Sequence, residues 1–295
     1  MTLGPRGRRL LLFGLVAAIV GVAVLVWRSR RPVLVPRAVW VWSDRVMRDP
    51  LAADSLFEWA RRHRVGRLFQ HVEPLLMEDP EAVARFLRRA RSDGFVVEAL
   101  LGDPAWLTAP DSALTRVDRL LGMHDRLGTD TLAAMHFDVE PHALPEWRRR
   151  QGVLVRRFQS LVEQVRARRG DRSIPLHFDI PVWYDEVRLP DAPATSVAAW
   201  LVRRVDGVTL MAYVTDRRSL WPILARASGW AGRSGATWSV GLETACDAGP
   251  DASYCTLGRA RLEETLAAME RRFGRAPKWA GPAIHFYPDA TRLLP

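Results

Sequence analysis

Apolar and polar positions follow two different periods along most of the chain. Eight short apolar or alternating runs predict β-strands, at residues 37–42, 66–72, 95–101, 132–140, 173–180, 206–213, 236–243 and 282–287. Apolar residues recur at helical spacing between these runs, for example over 54–64, 80–94, 146–170 and 259–274. Several of these stretches begin after Pro or Asp and end at Gly, as helix caps prefer.

Eight strands that alternate with helices over about 260 residues predict a (β/α)8 TIM barrel, which we place at residues 36–295. The alternative is a doubly wound open sheet, but no glycine-rich dinucleotide-binding turn follows the first predicted strand. The sequence ends a few residues after the eighth predicted strand. We therefore expect the last helix of the barrel to be missing or shortened.

The N-terminal segment differs from the rest in its hydropathy. Residues 10–27, LLLFGLVAAIVGVAVLVW, carry no charge and are flanked by arginines on both sides. A bilayer-spanning helix needs roughly 20 apolar residues. We predict one membrane-spanning helix there, within an anchor and linker at residues 1–35, and a cleaved signal peptide is the alternative. Because both flanks are basic, the positive-inside rule leaves its orientation open.

The sequence contains two cysteines, Cys246 and Cys255, inside one loop-like stretch. Their proximity predicts a disulfide, which fits an oxidising compartment. Together with the predicted anchor, it indicates a barrel on the extracytoplasmic side of the cell membrane.

The net charge of +10 first suggests a nucleic-acid partner. The positive charge is almost entirely arginine, with Lys278 as the only lysine, and no predicted element concentrates it. We therefore expect no nucleic-acid binding. The sequence leaves the oligomeric state open.

Strand parity places ionisable groups inside the barrel, because side chains alternate between the two faces of a strand. In the fourth predicted strand the inward set is His136, Asp138 and Glu140. Four other strands add polar groups to the same face: His71 and Glu73, His177 and Asp179, Glu243, and His285 and Tyr287. Unpaired buried charges are costly, and barrel enzymes carry their chemistry at the carboxyl ends of the strands. This convergence indicates a functional site.

The pattern resembles the glycoside hydrolase barrels, and most closely the chitinase-like family 18. That family's fourth strand carries the motif D-x-x-D-x-D-x-E, which aligns here with Ala133, His136, Asp138 and Glu140. The last two carboxylates match, and the first two positions do not.

A second family motif, M-x-Y-D, appears as MAYV. Met211 and Tyr213 match, but Val214 stands in place of the aspartate. The tryptophan of the family's eighth strand is not found, since His285 and Tyr287 occupy that region.

The resemblance implies a glycosidase with Glu140 as general acid. It further implies that Asp138 orients a 2-acetamido group whose carbonyl oxygen is the nucleophile, and that Tyr213 hydrogen-bonds the same group. The residues agree with this chemistry, because Asp138 and Glu140 lie about 6.6 Å apart on one strand face. Two carboxylates that close raise the proton affinity of one of them, which suits Glu140 as a neutral acid.

Glu243 offers a different mechanism. Many retaining glycosidases pair an acid on strand four with a carboxylate nucleophile on strand seven, where Glu243 is predicted to lie. An Asn usually precedes the acid in those enzymes, whereas Val139 does here. Both Asp138 and Glu243 remain candidate partners of Glu140.

Aromatic residues at or after strand ends are candidates for stacking on sugar rings: Trp42, Trp106, Trp183 and Tyr287. We expect the other inward residues to contact substrate as well, namely His71, Glu73, His136, His177, Asp179 and His285, and we add Met211 of the second motif. The expected substrate is an envelope or exported polysaccharide or oligosaccharide, with N-acetylhexosamine implied by the resemblance. No cofactor is expected.

Two other function classes stay open. A non-catalytic carbohydrate-binding barrel is supported by the missing family aspartates. A metal-dependent hydrolase is suggested because five of the seven histidines lie on or beside predicted strands: His71, His136, His142, His177 and His285. No tight ligand spacing such as H-x-H accompanies them, so no metal site is predicted.

Overall fold

The computed structural model describes residues 35–128 and 131–295. These residues form a closed barrel of eight parallel strands, each paired with its neighbours in chain order. The strands are β1 Arg37–Val41, β2 Val65–His71, β3 Val96–Leu101, β4 Ala134–Phe137, β5 Leu176–Pro181, β6 Gly207–Met211, β7 Thr237–Glu243 and β8 Trp279–Tyr287. Because β1 pairs with both β2 and β8, the sheet has no free edge. The predicted TIM barrel is confirmed.

Helices follow the first seven barrel strands and cover the outside of the sheet. They are α1 Pro50–Arg62, α2 Pro80–Ser92, α3 Pro110–Leu127, α4 Trp147–Arg169, α5 Val197–Leu201, α6 Arg217–Ala231 and α7 Gly258–Phe273. Short helical turns occupy Arg45–Arg48, Leu75–Glu78, Pro104–Leu107, Pro141–Ala143, Val182–Asp185 and Cys246–Ala248. An antiparallel hairpin, Arg188–Leu189 with Ala192–Ser196, lies between β5 and α5. After β8 the chain forms a 3-10 turn at Asp289–Arg292.

Capping explains where α1 and α2 begin. Asp49 and Asp79 each precede a proline at the first helical position, and their carboxylates accept hydrogen bonds from Leu51 N and Ala82 N. An Asp cap satisfies a free backbone amide, and Pro at this position lacks the amide that would otherwise be unpaired. Helix α1 therefore starts at Pro50, four residues before the apolar period that predicted it.

The barrel interior is packed by a small apolar cluster of Ala38, Trp40, Phe69, Leu100 and Ala283. Trp40 lies against β7, where a Cβ on Gly241 would come within 2.5 Å of its ring. Glycine is needed there because a larger residue would collide with the indole. This apolar cluster packs beneath the polar groups of the upper barrel.

A buried ion-pair network joins β1 to α7. Arg37 is 1% exposed, and its Nε donates to Glu270 Oε1 at 3.0 Å. Its other two nitrogens donate to the carboxylate of Glu263 at 2.9 and 2.8 Å, and Arg64 also bonds Glu270. The first strand is thereby tied to the last long helix by charge-assisted hydrogen bonds.

The predicted disulfide is confirmed. Cys246 and Cys255 are bonded, with their Cα atoms 5.1 Å apart. The predicted anchor at residues 10–27 lies outside the described residues. Among the helices of residues 35–128 and 131–295, none has the length and apolar character needed to cross a membrane.

Candidate active site

The candidate site is built on the end of β4. The hydrogen-bonded part of this strand is shorter than the predicted 132–140, since it ends at Phe137. Asp138 N still donates to Leu101 O at 2.8 Å, and a 3-10 turn begins at Pro141. A Cβ on Gly102 would lie 1.9 Å from the Asp138 carbonyl oxygen. Glycine at that position lets the end of β3 approach, which fixes the backbone that carries Asp138 and Glu140.

Beneath Asp138, three ionisable side chains form a buried row across β3, β4 and β5. His136, which is 0% exposed, lies between Glu98 and Asp179. Its Nδ1 lies 2.7 Å from Glu98 Oε2, and its Nε2 lies 2.8 Å from Asp179 Oδ1. Trp40 Nε1 donates to the other oxygen of Asp179 at 2.8 Å. All of these groups come from the inward face.

The row continues to two further groups near the amino ends of the strands. His177 Nδ1 lies 2.8 Å from Glu98 Oε2, and Arg67 Nη1 lies 3.5 Å from Glu98 Oε1. Burial acts to raise the pKa of Glu98, but His177, Arg67 and the two imidazole hydrogen bonds hold it well below its ordinary value.

Glu98, His136 and His177 offer three ligand atoms within 4.8 Å of one another, a spacing that could hold a metal ion. However, the Arg67 guanidinium next to Glu98 would repel a dication. Both nitrogens of His136 also already face carboxylate oxygens. The group therefore fits a charge-balanced hydrogen-bond cluster better than a metal centre.

The surroundings of Asp138 and Glu140, the two carboxyl groups at the end of β4, favour their protonated forms. Burial raises the pKa of Asp138 well above its ordinary value, and the charges of Asp179 and Glu140 raise it further. Asp138 Oδ1 is buried and has no hydrogen-bond partner within the described residues. For Glu140, burial and the charge of Asp179 raise the pKa to about 7. A carboxyl group with this pKa can hold a proton near neutrality and give it up.

Glu140 lines a cavity of about 290 Å³ at the carboxyl ends of β4, β5 and β6. Its other lining residues are His142, Pro181, Val182, Trp183, Met211, Tyr213 and Val214. Trp183 is half-buried and packs against Trp147 and Tyr184, at 6.2 and 4.9 Å between ring centroids. Apolar and aromatic surface beside a few convergent polar groups is typical of a ligand site.

Tyr213 and His142 flank Glu140 in this cavity. Burial raises the pKa of Tyr213 well above its ordinary value, and the nearby carboxylates add to the effect, so its hydroxyl stays a hydrogen-bond donor. His142 Nε2 lies 3.7 Å from Glu140 Oε1, and its Nδ1 lies 3.0 Å from the Tyr184 hydroxyl. Burial lowers the pKa of His142 and favours its neutral form.

Glu243 is held in a separate set of hydrogen bonds. Its Oε1 accepts from Thr244 N and Ala245 N, both at 2.7 Å, and its Oε2 lies 2.8 Å from His285 Nδ1. The Nε2 of His285 accepts from Trp42 Nε1 at 3.1 Å, because an indole nitrogen can only donate. His285 is therefore in the neutral form that carries its proton on Nδ1, and Trp42 lies at the barrel mouth.

Tyr287 does not lie in the site, contrary to the parity argument. From Val39 to Val41 on β1, the paired residues on β8 run from Ile284 to Tyr287, so β8 contains one extra residue. Such a bulge reverses the alternation that follows it. Phe286 consequently packs on the interior cluster, and Tyr287 packs on Trp59 of α1 at 5.4 Å.

Trp106 and Glu73 also lie away from the cavity. Trp106 is 3% exposed and belongs to the core between sheet and helices, so it offers no face to a sugar. Glu73 hydrogen-bonds to Arg116 of α3, whose guanidinium lies 5.9 Å from the Trp106 ring. His71 lies closer to the barrel mouth, with its ring 5.3 Å from that of Trp42.

The structure also adds residues to the site that parity alone had not identified: Trp40, Arg67, Glu98, Trp147 and Tyr184. Glu98 carried a signal, because a single acid inside the apolar run FVVEALL is unusual for a buried strand. Trp40, Trp147 and Tyr184 carried none, since aromatic residues are equally typical of core positions.

No protein-family model matches the chain, and no curated protein matches it. A GH18 chitinase from Pseudoalteromonas aurantia is similar in structure, with 9% identity, a TM-score of 0.56, and 85% of this chain and 94% of that chain covered.

The catalytic core of xylanase A is also similar, with 14% identity and a TM-score of 0.54 over 85% of this chain and 87% of that one. An intracellular xylanase from Thermoanaerobacterium saccharolyticum gives 11% identity and a TM-score of 0.54 over 86% of both chains. At these identities the likeness shows the fold. The chain has the TIM barrel found in these glycoside hydrolases.

Proposed function

We propose that this protein is a glycoside hydrolase that acts on a polysaccharide or oligosaccharide containing N-acetylhexosamine, with Glu140 as the general acid. The observation that carries the proposal is the placement of Glu140 at the edge of an aromatic cavity, with its pKa raised to about 7. A glycosidic bond breaks when an acid protonates the leaving oxygen while positive charge develops on the sugar. Glu140 supplies the proton.

Asp138 and Tyr213 complete the mechanism. The carbonyl oxygen of the substrate's 2-acetamido group attacks the anomeric carbon as Glu140 protonates the leaving oxygen. Asp138 binds the acetamido N–H with its buried Oδ1, which has no hydrogen-bond partner in the part of the chain that the structure describes, and the Tyr213 hydroxyl donates to the acetamido oxygen. Water then attacks the anomeric carbon, and Glu140 takes a proton from that water. Each residue returns to its starting state.

The aromatic wall supports a carbohydrate substrate. Trp183 and Met211 line the cavity together with Glu140 and Tyr213, and a half-buried indole can stack on the apolar face of a sugar. The similar chitinase and xylanases carry the same barrel, and their own names describe enzymes that act on polysaccharides.

The proposed location is outside the cytoplasmic membrane, with the barrel tethered by residues 10–27. The uncharged N-terminal run and the Cys246–Cys255 disulfide support it, since disulfides persist in oxidising compartments. The envelope or exported polysaccharides would then be within reach of the site. A C-terminal reporter that is active only in the cytoplasm would contradict this location.

The activity is tested with chito-oligosaccharides and the full-length protein. We expect hydrolysis by the wild type, and a loss of about 10²- to 10⁴-fold in kcat for Glu140→Gln, as for other general acids. Binding, measured by calorimetry, should persist because amide and acid are nearly isosteric. Glu146→Gln is the matched control, since Glu146 is an exposed carboxylate just before α4.

A non-catalytic carbohydrate-binding barrel is the second candidate. His136 and Val214 stand where the chitinase-like motifs carry aspartates, and this departure favours it. Binding of chito-oligosaccharides by the wild type without any turnover would establish this function in place of hydrolysis.

A further inference from the structure

A buried row of charge lies directly below the proposed catalytic pair. His136 contacts Glu98 on β3 and Asp179 on β5, with 2.7 and 2.8 Å between the hydrogen-bonding atoms. Glu98, His136 and Asp179 are each no more than 1% exposed. Asp138 and Asp179 directly follow the paired residues Phe137 on β4 and Phe178 on β5, so they come from neighbouring positions of adjacent strands. The charge of Asp179 raises the pKa of both Asp138 and Glu140.

The hydrogen bonds fix where the protons of this row reside. Trp40 can only donate, so Asp179 Oδ2 is an acceptor. Both nitrogens of His136 face carboxylate oxygens, an arrangement satisfied when both carry hydrogen. Arg67 lies beside Glu98, so each carboxylate of the row faces a cationic group. A buried cluster requires such pairing, since an uncompensated charge is strongly destabilising.

We propose that His136 is a positioning residue that holds Asp179 as a fixed carboxylate against Asp138 and Glu140, and that this charge sets the proton affinity of the catalytic acid. Burial alone would lower the pKa of His136, but the flanking carboxylates outweigh it and raise the pKa to about 10. His136 therefore remains a cation across the range in which Glu140 titrates. Its catalytic consequence rests on the proposed function, whereas its electrostatic effect does not.

Charged and titratable groups surround His136 and Glu140 on every packed strand. They are Arg67 on β2, Glu98 on β3, Asp138 on β4, and His177 and Asp179 on β5, with Tyr213, Glu243 and His285 on the far side. His142 and Tyr184 complete the rim. Glu98 keeps Arg67 and His177 as partners when His136 is replaced, whereas Asp179 keeps Trp40. Asp179 is therefore the carboxylate of the row that loses its charged partner in His136→Gln, and a buried carboxylate without compensation is strongly destabilised.

The first test uses the wild-type protein without substrate. Nitrogen-15 NMR of His136 should show both ring nitrogens protonated at pH 8. A neutral ring at that pH would overturn the proposal, because Asp179 would then have no cation beside it.

The second test follows the Glu140 carboxyl carbon by NMR titration in the wild type, His136→Gln and His177→Gln. The Glu140 pKa, about 7 in the native protein, should fall by about one unit or more in His136→Gln, as expected when a neighbouring charge is lost. His177→Gln is the matched control. It should leave the Glu140 pKa unchanged, because His177 bonds Glu98 without contacting Asp179. An unchanged or raised Glu140 pKa in His136→Gln would overturn the proposal.

A variant that removes the carboxylate directly protects the test against misfolding of His136→Gln. Asp179→Asn should lower the Glu140 pKa in the same direction, and an unchanged value would overturn the proposal. Neither titration needs turnover. A protein that shows these shifts but cleaves no sugar would retain the positioning role and refute the proposed activity. An active enzyme that lacks these pKa shifts would support the proposed activity and refute the positioning role of His136.

Discussion

The Nδ1 atom of His285 lies 2.8 Å from Glu243 Oε2, and the other oxygen of that carboxylate accepts two backbone hydrogen bonds. Three donors therefore surround Glu243, which is 4% exposed. These donors occupy three of the about four lone-pair positions of a carboxylate, which leaves little of Glu243 free to attack an anomeric carbon. Asp138 has an unpartnered buried oxygen among the described residues instead. This contrast favours Asp138 as the partner of Glu140.

We therefore expect Asp138→Asn to lower kcat by about 10²- to 10³-fold, as for loss of a group that stabilises the transition state. Glu243→Gln should raise KM more than it lowers kcat, because it disturbs His285 and Trp42 at the barrel mouth. Steady-state kinetics on a chromogenic chito-oligosaccharide would separate the two effects.

The opposite ranking would indicate that Glu243 is the nucleophile. In that case azide should restore turnover to Glu243→Gln, and sugars without an acetamido group should be cleaved. Direct nucleophile and acid would also lie about 5–5.5 Å apart in a complex. Azide added to Asp138→Asn is the matched control, for which we expect no rescue.

The pH dependence of activity follows from Glu140. A general acid works in its protonated form, so kcat/KM should be constant below its pKa and fall tenfold per pH unit above it. Burial and Asp179 raise that pKa to about 7, so the basic limb should begin near pH 7. A profile of kcat/KM measured from pH 5 to 9 checks this. Activity that stays constant to pH 9 would remove Glu140 from this role.

The same group predicts a pH-dependent stability. The Glu140 pKa is about 7 in the folded protein against an ordinary value of about 4.3 in the unfolded chain. The stabilising contribution of its protonated form is complete below pH 4.3 and is lost as the pH rises to 7. Glu140→Gln should therefore match the wild type in Tm at pH 4 and exceed it at pH 8. A Tm difference that does not change with pH would contradict the raised pKa.

Strand parity predicted much of this site because alternation on a strand is a local property. His136, Asp138 and Glu140 share a face in the sequence, and the structure brings His136 against Asp179 and places Glu140 in the cavity. Capping likewise identified helices whose buried face was already periodic.

The features of the site that the sequence could not predict depend on pairing between strands that are distant along the chain. The extra residue in β8 that turns Tyr287 outward appears only in the register of β1 against β8. The role of Glu98 depends on two histidines 38 and 79 residues away. Trp106 could not be assigned to the core rather than the rim, because its position after a strand fits either until the helices are packed.

Close backbone approach at Gly102 gives a steric prediction. An added Cβ would meet the Asp138 carbonyl at 1.9 Å, and backbone atoms cannot rotate away. Gly102→Ala should shift the Asp138–Glu140 segment, lower kcat/KM by more than about tenfold, and destabilise the fold by about 1–3 kcal/mol. Gly122→Ala is the matched control. It lies within α3 with its nearest neighbour 3.9 Å away, so it should stabilise by about 0.5–1 kcal/mol and leave activity unchanged.

The ion-pair network at Arg37 predicts how the barrel is held closed. Arg37→Met would remove the buried cationic partner of Glu270, which is 5% exposed, and leave it the half-exposed Arg64. Removing one member of a buried pair costs about 3–5 kcal/mol because the remaining charge stays buried. Arg166→Met, which breaks an exposed pair with Glu163, should cost less than about 1 kcal/mol. Urea unfolding followed by circular dichroism gives both values. Equal values would show that β1 and α7 are joined by apolar packing rather than by Arg37.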